Sequence, residues 1–201
     1  MNAEVRSLKY EGEKFSVELS DQRLFTSDFI CVACGGYPKS SMFDWLVQTG
    51  HTIEEPVPSL FTFNLPAGNS ITKLMGVSVE KARVKIGGTK LEQTGPLLIT
   101  HWGLSGPAIL KLSAWGARHL AASNWHFGVL INWLPVYNGQ SLQKEFQQLR
   151  YDLASQKVSG KNPFGLPQRL WEFFLQQSSV RENIRWADLN SKEQNLLIQT
   201  L

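Results

Sequence analysis

Cys31 and Cys34, the two cysteines of the chain, form a C-x-x-C, the spacing of thioredoxin-like redox pairs and of half a zinc site. Their surroundings argue against both. Phe29-Ile30-Cys31-Val32-Ala33-Cys34 is a continuous apolar run ahead of Gly35-Gly36 and reads as a buried strand. Residues three apart on a strand point to opposite faces with Cα atoms about 10 Å apart, beyond the roughly 4.4–6.8 Å that a disulfide spans. Zinc needs further ligands at a suitable spacing, and the four histidines, His51, His101, His119 and His126, are scattered. The expectation is core cysteines and no metal site, with dithiol redox chemistry as a third-ranked alternative.

A second segment, Leu97-Leu98-Ile99-Thr100-His101-Trp102-Gly103-Leu104-Ser105-Gly106-Pro107, is more distinctive. A buried strand delivers Thr100 and His101 into a glycine-flanked turn. Ser105 is then placed to cap a helix that Pro107 starts at its first position, running through Leu112. A helix start of this kind attracts anions or developing negative charge, with two hydroxyls and an imidazole close by. The plainer alternative is a tight strand-to-helix turn in which Ser105 only caps and His101 only bonds a backbone carbonyl. Serine hydrolase chemistry fails on spacing, because the second glycine follows the serine directly and leaves no G-x-S-x-G. No G-x-G-x-x-G occurs, and P-loop, zincin and EF-hand patterns are absent. Glu54-Glu55 beside Pro56 reads as a solvated linker.

The elements that must position these residues are legible in outline. Val5 to Tyr10 and Lys14 to Leu19 alternate across Glu11-Gly12-Glu13, a hairpin signal. After the apolar strand, Ser40-Ser41 can cap a helix through Val47, ended by Gly50. Pro56-Val57-Pro58 marks a boundary. Beyond it, Ser59 to Leu65, Met75 to Ile86, Leu97 to His101 and Phe127 to Leu134 read as strands of a small antiparallel barrel or sandwich. Within them Val84 and Ile86 share one face and the charges at 83 and 85 the other. From Ser141 to Gln156 the period becomes helical. Another helix spans Pro167 to Gln177 behind the loop Lys161-Asn162-Pro163-Phe164-Gly165-Leu166. A last one follows Asn190, where Asn190 and Glu193 fit a capping box. Its apolar residues run to Leu201, which suggests an interior piece of a longer protein.

Composition is that of an ordinary folded chain: 201 residues, 42% hydrophobic, 18% charged, net charge +3. Roughly 70% of the unfolded surface can be buried at this size, so neither disorder nor a disulfide scaffold is called for. A dispersed excess of three positive charges, with no basic block, predicts no nucleic-acid partner. No apolar window approaches the ~18 residues of a membrane span, and Met1-Asn2-Ala3-Glu4-Val5-Arg6 opens no leader. The expectation is a cytoplasmic protein with no membrane partner. Seven Trp and 11 Phe are the unusual quantity, pointing to an aromatic core or to an apolar cofactor or partner surface.

The order of segments resembles one family, the bacterial HI0933-like (YhiN/BaiN-type) NAD(P)/FAD-dependent oxidoreductases. The resemblance rests on Ala33-Cys34-Gly35-Gly36-Tyr37-Pro38-Lys39, Gly50-His51, Pro56-Val57-Pro58-Ser59-Leu60, the Thr100-His101-x-Gly-Leu-Ser-Gly-Pro107 string and Phe164-Gly165-Leu166-Pro167, in family order. It implies an α+β chain: residues 1–53 as part of a Rossmann-like FAD-binding domain, 56–135 as the β-barrel of an inserted domain, and 136–201 as its helical subdomain. It further implies FAD in the full-length parent but not retained by this fragment, together with NAD(P)H and a small-molecule substrate. The missing partners would be the N- and C-terminal FAD-domain segments. By resemblance, Ala33, Cys34, Gly35, Gly36, Thr100, Gly103, Gly106 and Pro107 are cofactor-binding, and His101 and Ser105 catalytic. Cys34 stands where Thr is common, and the turn after Gly36 is shorter than in many members. The competing expectation is a self-contained binding or interaction module, favoured if the first 53 residues form their own layer and the last helix is covered.

Overall fold

The computed structural model describes residues 3–37, 39–160 and 162–201. Met1 and Asn2 of the N-terminus, Pro38 of the Gly-Gly motif and Lys161 of the Pro/Gly loop lie outside the described residues. The chain divides into two units, Met1–Val57 and Pro58–Leu201.

In the first unit, β1 (Val5–Glu11), β2 (Lys14–Leu19) and β3 (Leu24–Ser27) form an antiparallel sheet in that order. Glu11 pairs with Lys14, so the predicted hairpin closes on Gly12 and Glu13, both at positive φ, +59° and +67°. That backbone matches the right-handed twist of the flanking strands. Leu19 is the one buried hydrophobic residue among the described residues of this unit.

The predicted buried strand does not form. Residues 28–37 are irregular, Phe29 is 87% exposed, and Cys31 and Cys34 are both exposed free thiols. A β-prone sequence becomes a strand only against a partner edge that takes up its N–H and C=O groups. Among the described residues none pairs with it, and the hydrogen bonds at Phe29 go no further than Ser27. The core-cysteine reading is therefore corrected, and the opposite-face argument against a disulfide loses its premise. The expected helix shrinks to a 3-10 turn, Ser40–Phe43, and one turn of α1 (Asp44–Val47), with Lys39 rather than a serine at its start. Gly50, at φ +89°, ends it as predicted.

The second unit is α+β. Its sheet runs β4 (Phe63–Asn64), β7 (Gly103–Ser105), β6 (Glu92–Ile99), β5 (Ser78–Ile86), β8 (Val129–Asn132), antiparallel throughout and curled as a half-barrel. On β5, Val79, Ala82, Val84 and Ile86 are buried while Arg83 and Lys85 point away from that face. β6 starts earlier than predicted and passes through Pro96, which lacks a ladder N–H. The register shifts there, between Val79↔Leu97 and Ala82↔Gly95, so Glu80 and Lys81 together oppose the proline. A bulge is one of the few places a sheet tolerates proline. The predicted strand Ser59–Leu65 reduces to β4, two residues long.

Helix α2 (Pro107–Ala122) packs across β6 and β5. Gly116 lets it sit close: an added Cβ would stand 3.1 Å from Ile86 Cδ1. The remaining helices, α3 (Gly139–Asp152), α4 (Gln168–Gln177) and α5 (Ser191–Thr200), enclose buried Phe146, Trp171, Phe174 and Trp186. The predicted capping box at α5 is present, with Asn190 Oδ1 accepting from the Glu193 N–H at 2.9 Å and the Glu193 carboxylate accepting from the Asn190 N–H at 3.3 Å. Leu197 and Leu201 are buried, and the Leu201 carbonyl accepts from Trp133 N–H at 2.8 Å. Among the described residues no helix is long and apolar enough to cross a membrane.

Candidate functional site

The Thr100–Pro107 loop is built by β6, β7 and the start of α2. Leu98 pairs with Ser105 and Ile99 with Leu104, so the two strands close on Thr100-His101-Trp102. The Thr100 hydroxyl is spent on this closure, accepting from Gly103 N–H and donating to Gly103 C=O, both at 3.1 Å. It is a turn-former in this structure. Gly103 is demanded by packing: a Cβ there would lie 2.1 Å from the Phe63 carbonyl oxygen, because β4 pairs directly alongside.

Ser105 is not the helix cap. Its backbone is committed to the β6 ladder, and the break into α2 falls on Gly106, at φ +97°. A Cβ at Gly106 would lie 2.8 Å from the Pro96 carbonyl oxygen. Pro107 stands in the first helical turn as predicted, and Gly106 C=O accepts from Leu110 N–H at 3.0 Å. No side chain caps α2, which runs ten residues beyond its predicted end. His101 is exposed, its ring edge-on to Trp102 with centroids 3.9 Å apart. Among the described residues it bonds no backbone carbonyl. What the loop presents to solvent is therefore an imidazole beside a half-exposed indole, held on a short hairpin, with Ser105 partly buried at the end of β7.

In the first unit, Ala33, Cys34, Gly35 and Gly36 lie together on the exposed irregular segment. Gly35, at φ +80°, takes a conformation that other residues resist. Gly36 has no positive φ, and an added Cβ would meet nothing within 4 Å. A hydrogen bond with Cys34 holds the Tyr37 phenol above its ordinary range, against a smaller lowering by Trp45. Sequence reasoning did not single out Tyr37 or Trp102; the one signal for Trp102 was an aromatic residue placed between the histidine and the glycine of a tight turn.

Residues 57–201 match the family described as HI0933-like protein barrel and H2TH domain. The chain belongs to the HI0933-like family. Two curated relatives extend the comparison. The 3-dehydro-bile acid delta(4,6)-reductase of Clostridium scindens is 25% identical over 210 aligned positions, covering 97% of this chain and 49% of the relative. The ribosomal RNA dihydrouridine synthase of Escherichia coli is 32% identical over 143 positions, covering 70% of this chain and 32% of the relative. This HI0933-like chain thus spans about half the length of the first relative and a third of the second.

Proposed function

We propose that the chain is a portion of a bacterial, cytoplasmic FAD-dependent oxidoreductase that adds hydrogen to a carbon–carbon double bond conjugated with a carbonyl. One observation supports this most: the names of both relatives describe saturation of a double bond, one as a delta(4,6)-reductase and one as a dihydrouridine synthase. The reaction adds a hydride and a proton across the bond. When bound, FAD supplies the hydride-carrier chemistry, recharged by NAD(P)H.

The residues of this chain take the remaining roles. Residues 1–53 belong to the FAD domain, 56–135 to the barrel and 136–201 to the helical subdomain of an insert. The backbone of Ala33–Gly36 would hold the flavin, with Gly36 leaving the room its open Cα face allows. The hairpin carrying Thr100, Gly103, Gly106 and Pro107 would bind the cofactor as well and presents His101 to the substrate. His101 is the proton donor to the carbon that does not receive the hydride, and the family resemblance gives Ser105 a catalytic role. The segments that complete the FAD domain lie outside these 201 residues, and the chain alone retains no FAD.

The test is to purify the intact protein in which this chain occurs and record its visible spectrum before and after anaerobic NADH or NADPH. Flavin bands that bleach with pyridine nucleotide are expected, and a colourless protein that cannot be reconstituted with FAD refutes the reading. A second reading, a self-contained binding module, draws on the burial of Leu197 and Leu201 within the second unit; it predicts that colourless outcome.

A further inference from the structure

The Phe164-Gly165-Leu166-Pro167 motif takes no part in the flavin reading, yet it lines a cleft of about 440 Å³ within the second unit, together with residues 78–81 of β5 and 133–136 beyond β8. The end of β8 explains the cleft. That strand pairs with β5 from Ile86↔Val129 to Arg83↔Asn132 and stops. Carried on, Trp133 and Leu134 would lie along the same edge of β5. They are drawn off instead: Trp133 N–H donates to the Leu201 carbonyl and Leu134 N–H to Asn132 Oδ1, both at 2.8 Å. The Arg83 guanidinium then holds the departing chain, donating to the Pro135 carbonyl at 3.2 Å.

Residues 78–81 are thereby left as an open strand edge in line with β8, and among the described residues no strand pairs with them there. Unpaired N–H and C=O groups on a strand edge are a template for another main chain. The lane is four residues long, about 13 Å. It is walled by residues 133–136 and 164–167, and the Phe164 ring of that wall packs on Phe146 and Tyr137 with centroids 5.3 and 5.9 Å apart. A strand that already belongs to a sheet carries a neighbour where this wall stands, so a free extended segment is what fits. The charged bulge at Glu80 and Lys81 likewise discourages pairing between whole sheets. Charge beside the lane favours acids: Lys81, Arg83 and Lys85 follow one another along the outward face of β5, against Glu80 on the same strand and Glu92 opposite Lys85.

We propose that residues 78–81 take up an extended peptide segment of a partner protein as an added strand, its residues alternating apolar and acidic, the acidic ones beside Lys81. A small molecule is held by convergent side chains, whereas the floor of this cleft is main chain. The inference stands whether or not the flavin reading holds.

The experiment titrates the 201-residue chain into a fluorescein-labelled hexapeptide of alternating valine and glutamate and follows anisotropy, with amide hydrogen exchange of the chain read in parallel. Saturable binding is expected, with slower exchange at residues 78–81. Two further peptides are N-methylated, one on its valines and one on its glutamates. Successive N–H groups of a strand point to opposite edges, so one of the two should lose about 10-fold in affinity and the other should keep most of it. Lys81→Glu should weaken the valine–glutamate peptide about threefold and strengthen its valine–lysine counterpart. Lys81 is exposed, so that variant should melt like the parent. Four results overturn the proposal: no saturable binding, equal affinities of the two methylated peptides, unchanged exchange at residues 78–81, or a chain that sediments as a dimer which the peptide does not dissociate.

Discussion

Gly36 and Gly103 belong to the two motifs that carry the family resemblance, yet their surroundings differ. At Gly103 a methyl group would enter the Phe63 carbonyl at 2.1 Å, and neither β4 nor β7 can move without breaking its ladder. Gly103→Ala should therefore cost about 2–4 kcal/mol, read by chemical denaturation of the chain. Gly36→Ala meets nothing and should leave that stability unchanged, while weakening FAD retention in the intact protein. Equal destabilisation by the two would remove the argument that Gly36 is kept for an outside group. Two buried tryptophans offer a similar contrast. Trp171 Nε1 donates to the Val158 carbonyl at 2.9 Å, whereas Trp186 Nε1 has no partner among the described residues. Substitution by Phe removes comparable area from each. Only Trp171→Phe deprives a buried acceptor of its donor, so it should cost about 1–2 kcal/mol more than Trp186→Phe.

At the level of elements, what was legible in the sequence was local. Asn190 and Glu193 announced the start of α5, the alternation from 83 to 86 announced β5, and the Gly12-Glu13 turn announced the first hairpin. Pro107 marked the start of α2, although the cap slid from Ser105 to Gly106 because strand pairing claimed the serine. What was misread depended on distant partners. Residues 29–34 have every local feature of a strand but no partner edge among the described residues, and the strand expected from Leu97 starts at Glu92 because the Glu80-Lys81 bulge that accommodates Pro96 lies on another strand. Of the candidate site, the hairpin was visible as a motif; that its glycines serve packing was not, since their neighbours Phe63 and Pro96 are set by pairing. The capping box gives this scale its prediction. Asn190→Ala should cost about 1 kcal/mol. The loss at Asn138→Ala, the cap of α3, should be smaller, because Glu193 is buried and also accepts from Arg181 Nε at 3.1 Å, whereas Ser141 has no further cation to hold. Parallel urea titrations of the two variants decide the order.

Across the whole molecule the apolar interior is unequally distributed. Every residue of the core cluster, from Phe63 to Leu201, lies within Pro58–Leu201, and among the described residues the first unit contributes the single buried hydrophobic Leu19 outside it. Since burial of apolar area is the main favourable term in folding, the two units should differ sharply in stability. Residues 58–201, about the size of an ordinary single domain, have strands, helices and a closed aromatic core of their own. The first unit has a largely solvated surface, with Phe25 of β3 and Phe29 and Val32 of the irregular segment exposed. Expressed alone, residues 58–201 should melt in one cooperative transition close to that of the whole chain. Native-state hydrogen exchange on the whole chain should show strong protection in β5, β6 and α2 and only weak protection in β1 to β3. A fragment that melts without cooperativity, or equal protection in both units, would mean that the core of residues 58–201 depends on the segment before it, and the proposed division at the proline-rich boundary would fail with it.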